Sequence, residues 1–149
     1  MGGAPDKITI KFKLNLSKKI NPTLIESRDY KILADVEGEF ALYVNGELFF
    51  YDEFILLIEL GIELTKWVQS LKLGSEEDFF YETMDYNEGP ILEFRKLSNN
   101  NWRVFSVWQK TELAETFSLS LIQKAVNDFL FKLRTELELQ FKIDISVYL

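Results

Sequence analysis

The chain has 149 residues and a net charge of −7, with 47% hydrophobic, 15% aromatic and 28% charged side chains, and it holds neither cysteine nor histidine. That length specifies a single domain, residues 1–149, with a core of its own. The two missing residue types exclude disulfides, thiolate and imidazole metal sites, cysteine nucleophiles and every histidine-based acid–base mechanism. The negative charge argues against general nucleic-acid binding, which needs an excess of Lys and Arg to neutralise phosphates.

Residues 7–16 open the fold. Ile8, Ile10, Phe12, Leu14 and Leu16 alternate with Lys7, Thr9, Lys11, Lys13 and Asn15, which predicts a strand with one apolar face and three lysines on the other. Residues 17–29, holding Pro22, read as a loop with one helical turn. A second strand is expected over residues 30–37, turning at Gly38. Residues 40–44 and 47–51 flank Asn45-Gly46, the pair that a type I′ hairpin turn favours because both central residues need positive φ. A two-residue turn sets Val44 against Glu47, Leu42 against Phe49 and Phe40 against Tyr51. Both faces of this hairpin are apolar, so each is expected to lie against something.

Asp52 is placed to cap a helix over residues 53–71, with Leu57, Leu60, Leu64, Trp67, Val68 and Leu71 in one stripe. Gly61 in its interior suggests a close helix–sheet approach, and Gly74 suits its end. Residues 75–89 read as an acidic loop. Residues 91–97 and 102–109 form a second hairpin across four residues, with Trp102, Val104, Ser106 and Trp108 on one face and Phe105 and Val107 on the other. Residues 115–119 read as a further strand. Ser120 and Gln123 have the capping-box spacing for a helix reaching Leu139, with Ile122, Val126, Phe129, Leu130, Leu133 and Leu137 on its buried side. Alternation over residues 141–149 predicts a closing strand. Strands that arrive as hairpins define an α+β fold: a mainly antiparallel sheet with two long amphipathic helices packed on one face.

The seven glycines form no phosphate-binding loop or dinucleotide fingerprint, and no serine stands between glycines as in a nucleophile elbow. Residues 85–90 put Gly and Pro where an EF-hand needs an acceptor and Gly, so no calcium loop is read there. No cofactor and no metal is expected. No apolar run reaches the roughly 18 residues of a membrane span, and residues 1–6 have neither a secretory signal nor a complete myristoylation pattern. The expectation is a cytoplasmic protein without membrane or nucleic-acid partners.

Charge is distributed unevenly. Residues 1–34 hold seven basic and three acidic side chains, residues 32–94 two and fifteen, and residues 95–149 eight and six. The acidic block either pairs with the lysines of the first strand or forms a field that attracts a cationic partner. Within it, Glu76, Glu77, Asp78, Glu82 and Asp85 surround Phe80, Tyr81 and Tyr86. Aromatic anchors inside a carboxylate rim suit a protein interface, where the aromatics supply affinity and the charges select the partner. The candidate partner-binding residues are therefore Glu76, Glu77, Asp78, Phe80, Tyr81, Glu82, Asp85 and Tyr86.

A small acidic chain without a catalytic constellation, carrying Tyr43-Val44-Asn45-Gly46-Glu47-Leu48 and Asn99-Asn100-Asn101-Trp102-Arg103-Val104, resembles small uncharacterised proteins of Bacillus-type bacteria, some of which resemble toxin-immunity proteins. The resemblance implies a cytosolic protein that binds and blocks one cognate toxin domain. The reading is a non-enzymatic protein-binding module, of immunity-inhibitor type, that occludes a basic protein partner. The alternative is a small-ligand-binding domain or carboxylate-dependent enzyme with a pocket between sheet and helices. A homodimer through the free sheet face is a third reading.

Overall fold

A computed structural model describes residues 7–17, 19–82, 89–98, 100–110, 112 and 115–149. It is α+β, with two antiparallel three-stranded sheets and two long helices. The first sheet has the order β1 (Ile8–Leu14), β2 (Glu37–Val44), β3 (Glu47–Leu56). Helices α1 (Pro22–Glu26) and α2 (Ile32–Asp35) lie between β1 and β2, and α3 (Leu57–Lys72) follows β3. The second sheet has the order β4 (Phe79–Tyr81), β5 (Leu92–Ser98), β6 (Asn101–Phe105), followed by α4 (Leu119–Phe141) and a 3₁₀ turn over Ile145–Tyr148.

Helix α4 packs on the first sheet, and α3 packs on the first and the second. Phe129 of α4 stands edge-on to Phe12 and Phe40 at 5.4 and 5.5 Å, which seats α4 on the first sheet. Trp67 of α3 packs against Phe79, Phe94 and Trp102 at 5.9, 5.3 and 6.0 Å, on the inner face of the second. The helices meet at Gly61, where a Cβ would stand 2.7 Å from Leu133 Cδ2 and 2.9 Å from Ile145 Cδ1. The close approach is thus made to a helix and the C-terminal turn, not to a sheet. One continuous apolar cluster links both sheets through α3 and α4. No helix among the described residues is long and apolar enough to cross a membrane.

The first hairpin turns at Asn45 and Gly46, both at positive φ (52° and 84°) as their identity predicts. Its register holds at Val44–Glu47 and then shifts: Leu42 opposes Phe50, not Phe49, and Phe40 opposes Asp52, not Tyr51. A bulge absorbs Phe49, so two consecutive phenylalanines are buried at 1% and 0% exposure. Pairing with Phe40 keeps Asp52 in the strand, which continues to Leu56, and α3 starts at Leu57 without a side-chain cap. Phe129 of α4 and Leu57 of α3 meet the inner face of this sheet. The outer face carries Lys11 over the Tyr43 ring at 5.3 Å and Tyr51, whose hydroxyl donates to Glu39 Oε1 at 2.6 Å.

Other expected elements change for local reasons. Asp29 accepts from the Lys31 N–H at 2.9 Å and starts a turn, so residues 30–36 pass through α2 instead of a strand, with Ile32 and Val36 one turn apart and both buried. The second hairpin closes more tightly than a four-residue loop, with Ser98 opposite Asn101 and Asn100 at φ 58°. Strand β6 stops at Phe105 because residues 106–109 form a turn in which Ser106 Oγ accepts from Trp108 N–H. Residues 115–119 contribute one bridge, Phe117 to Trp102. Ser118, not Ser120, caps α4, accepting from the Leu121 N–H at 3.2 Å. After Lys142 takes a left-handed conformation, Asp144 accepts from the Ser146 N–H at 3.0 Å and diverts the expected closing strand into the 3₁₀ turn. Gly74, at φ +94°, follows the end of α3 as expected.

Candidate protein-docking surface

The candidate residues enter the second sheet through β4. Leucine and phenylalanine positions on β5 fix the alternation: Phe79 opposes Phe94, Phe80 opposes Glu93 and Tyr81 opposes Leu92. Phe79 and Tyr81 therefore point inward, at 4% and 1% exposure, while Phe80 points out at 51%. Tyr81 belongs to the core and is not a surface contact, because its alternation with Phe80 turns it inward. The alternation of Phe79, Phe80 and Tyr81 carried that information once the segment is recognised as a strand and not a loop.

The acidic residues ahead of β4 are held in place. The Glu77 carbonyl accepts from Trp67 Nε1 at 2.8 Å, tying the segment to α3. Asp78 Oδ1 accepts from the Lys96 backbone N–H at 2.8 Å, and the Lys96 ammonium pairs with Glu76. Glu76, Glu77 and Asp78 are nonetheless exposed. Glu82 Oε2 accepts from the Gly89 N–H at 3.2 Å. Asp85 and Tyr86 lie outside the described residues. Carboxylates on a braced backbone, beside a ring anchored on both sides by buried neighbours, lose little conformational freedom on binding.

The outer face of the sheet extends the patch across all three strands. Phe80, Glu93 and Phe105 form one row, and the neighbouring row sets Arg95 opposite Arg103. Glu93 is only 7% exposed and pairs with Arg95 at 3.0 Å. Facing arginines repel, and Glu93 offsets that repulsion on one side. The face thus carries Phe80 and Phe105 on its flanking strands about the central Glu93–Arg95 pair, is acidic where Glu76, Glu77 and Asp78 lead into β4, and is cationic toward Arg103. Glu93 and Phe105 were not singled out as contacts from the sequence. The signal for Glu93 is the alternation of Glu93, Arg95 and Leu97 along β5, and that for Phe105 is its place on the face of β6 opposite Trp102 and Val104.

A second acidic and aromatic group lies on the first sheet. The Tyr51 phenol is pushed up to about 12, first by its hydrogen bond to Glu39, then by desolvation and the nearby charges of Glu39, Glu53 and Asp52. Phe54 beside them is 64% exposed. A shallow groove of ≈ 480 Å³ runs past Lys13, Glu39, Glu53 and Phe54. Lys13 directly opposes Glu39 across β1 and β2, so the acidic block and the lysine face do meet at this point. Among the described residues no group of three or more carboxylates converges as it would to hold a metal ion.

The chain belongs to the DUF7878 family, a domain of unknown function, whose sequence pattern matches residues 10–139. No curated protein and no solved structure matches it.

Proposed function

We propose that this member of the DUF7878 family is a non-enzymatic protein-binding module that docks a cationic partner on the outer face of its second sheet. The observation that carries the reading is the presentation of Phe80, half exposed between two buried neighbours and next to Glu76, Glu77 and Asp78. An exposed aromatic on a short, pinned strand is an anchor in the energetic sense: its area is available to a partner and little order remains to be lost. The carboxylates supply steering, which raises association rates by about 10–10³-fold and fades with salt.

Occlusion is the mechanism that fits such a surface. A partner whose working site is cationic would have it covered by the acidic rim and Phe80, as an immunity-type inhibitor covers a toxin domain. Glu82, Asp85 and Tyr86 complete the proposed contact set. The test is the association kinetics of the partner with Glu77→Lys and with Phe80→Ala. Glu77→Lys should slow association and flatten its salt dependence, because its side chain is exposed and only its backbone carbonyl braces the fold. Phe80→Ala should speed dissociation instead. Unchanged kinetics in both variants would remove the surface from the reading.

A further inference from the structure

Strand β1 ends the first sheet, and among the described residues no strand pairs with its outer side. The Asn45 N–H donates to the Lys7 carbonyl at 2.8 Å, and the Asn15 N–H donates to the Glu37 carbonyl at 3.0 Å. An antiparallel ladder alternates, so the odd-numbered residues of β1 exchange bonds with β2. The N–H and C=O groups of Ile8, Ile10, Phe12 and Leu14 then point away from β2, to an edge where the described residues place no further strand. The far edge of the same sheet differs: there the Lys110 N–H already covers the Phe49 carbonyl at 2.7 Å.

Helix α4 walls the open edge. Phe129 seats the helix on the sheet, and Phe131 beside it is 73% exposed. A cleft of ≈ 350 Å³ passes Ile8 and Ile10, and another of ≈ 520 Å³ passes Phe12 and Leu14; both are bordered by Lys132. Together they follow β1 for its seven residues, roughly 23 Å of strand. Lys7, Lys13, Lys124 and Lys132 line them, against Asp128 and Glu136. The local sign is thus opposite to the chain's net charge of −7.

We propose that this groove binds an extended segment of a partner protein in which acidic and apolar residues alternate, added to β1 as a fourth strand of the sheet. Main-chain bonds to the open edge would supply affinity, and the period of two would divide the side chains. The apolar set would face α4 and Phe131. The acidic set would lie on the outer face beside Lys7, Lys11 and Lys13. A second copy of this chain is a poor occupant, because pairing β1 with β1 brings two lysine rows together, and edge lysines discourage that pairing. This surface lies on the other sheet from Phe80, so the proposal stands apart from the proposed function.

The test uses a fluorescein-labelled octapeptide alternating Glu and Val, titrated against the full chain by fluorescence anisotropy. Saturable binding is expected, roughly tenfold weaker for the exposed pair Lys7→Glu/Lys11→Glu, and absent for a peptide alternating Lys and Val. Two further peptides carry N-methyl groups on every Val or on every Glu. A strand added to one edge uses the N–H groups of one alternate set only, so one of these should bind like the parent and the other should not. No binding of the parent peptide, equal binding by the Lys–Val peptide, or equal binding by both methylated peptides would each overturn the proposal. So would a dimer, seen as a concentration-dependent mass in sedimentation, that the double variant abolishes.

Discussion

The indole of Trp67 donates to the carbonyl of Glu77 at 2.8 Å, joining a buried residue of α3 to the exposed acidic segment ahead of β4. The same ring packs on Phe79, Phe94 and Trp102, so one side chain holds the second sheet against α3 and fixes the start of its acidic rim. Trp67→Phe keeps most of the aromatic contact and removes the N–H. It should cost about 1–2 kcal/mol in chemical unfolding, since the Glu77 carbonyl can turn to water. Amide exchange over residues 75–79 should accelerate more than exchange in α4, which reports the lost tether separately from the lost packing.

Ser118 and Ser120 separate two possible helix starts. Ser118→Ala removes the bond to the Leu121 N–H and should cost about 1 kcal/mol. Ser120→Ala, at an exposed position already inside α4, should stay within about 0.5 kcal/mol of the parent. Denaturant midpoints of the two variants decide the cap. Equal losses would restore the capping box at Ser120.

Much of the fold was legible in the sequence for identifiable reasons. Alternation over β1, the Asn45-Gly46 turn and the helical stripe through Leu57, Leu60 and Leu64 each satisfy one local rule, and no competing rule applies. The errors fall where two local signals compete. Phe49 and Phe50 are equally apolar, so alternation cannot say which residue the bulge absorbs; Asp52 has cap chemistry, yet ladder pairing with Phe40 holds it in the strand. The alternation of residues 141–149 is real, and Ile143 and Ile145 are buried as it requires, but the Asp144–Ser146 turn decides the conformation. The charges of the proposed docking surface were legible because the order of residues 76–85 alone shows them. The inward turn of Tyr81 was not, because it depends on β4 pairing with a strand eleven residues further on.

Gly61 sits where α3 meets Leu133 and Ile145, which are 0% and 2% exposed. Gly61→Ala gains about 1 kcal/mol of helix propensity but forces side chains that have no room to move, at about 1–3 kcal/mol. The net expectation is a loss of up to about 2 kcal/mol. In an Ile145→Val background one of the two crowding methyls is gone, so the same substitution should cost about 1 kcal/mol less. A thermodynamic cycle from four unfolding curves measures the coupling. Strict additivity would place the crowding elsewhere.

Tyr51 offers a pH signature. Its phenol is raised to about 12, chiefly by donating to Glu39. The folded chain therefore binds this proton more tightly than the unfolded chain, whose phenol keeps its ordinary value near 10. The stabilisation from this bond is complete below about pH 10 and is lost as pH rises toward about 12. Glu39→Gln removes the charged acceptor, so the late tyrosinate absorbance step should move back toward pH 10. A step that stays near 12 in the variant would assign the shift to another cause.

Docking of a cationic protein on the Phe80 face is tested most directly by capture at two salt concentrations. Immobilised parent chain and the Glu77→Lys/Phe80→Ala variant would be exposed to the same cell lysate at about 50 and about 500 mM salt, concentrations at which screening lengths differ roughly threefold, and the retained proteins identified by mass spectrometry. One basic protein is expected on the parent at low salt, less of it at high salt, and none on the variant. A protein retained equally by both chains, or no specific protein on the parent at either salt, would contradict that docking.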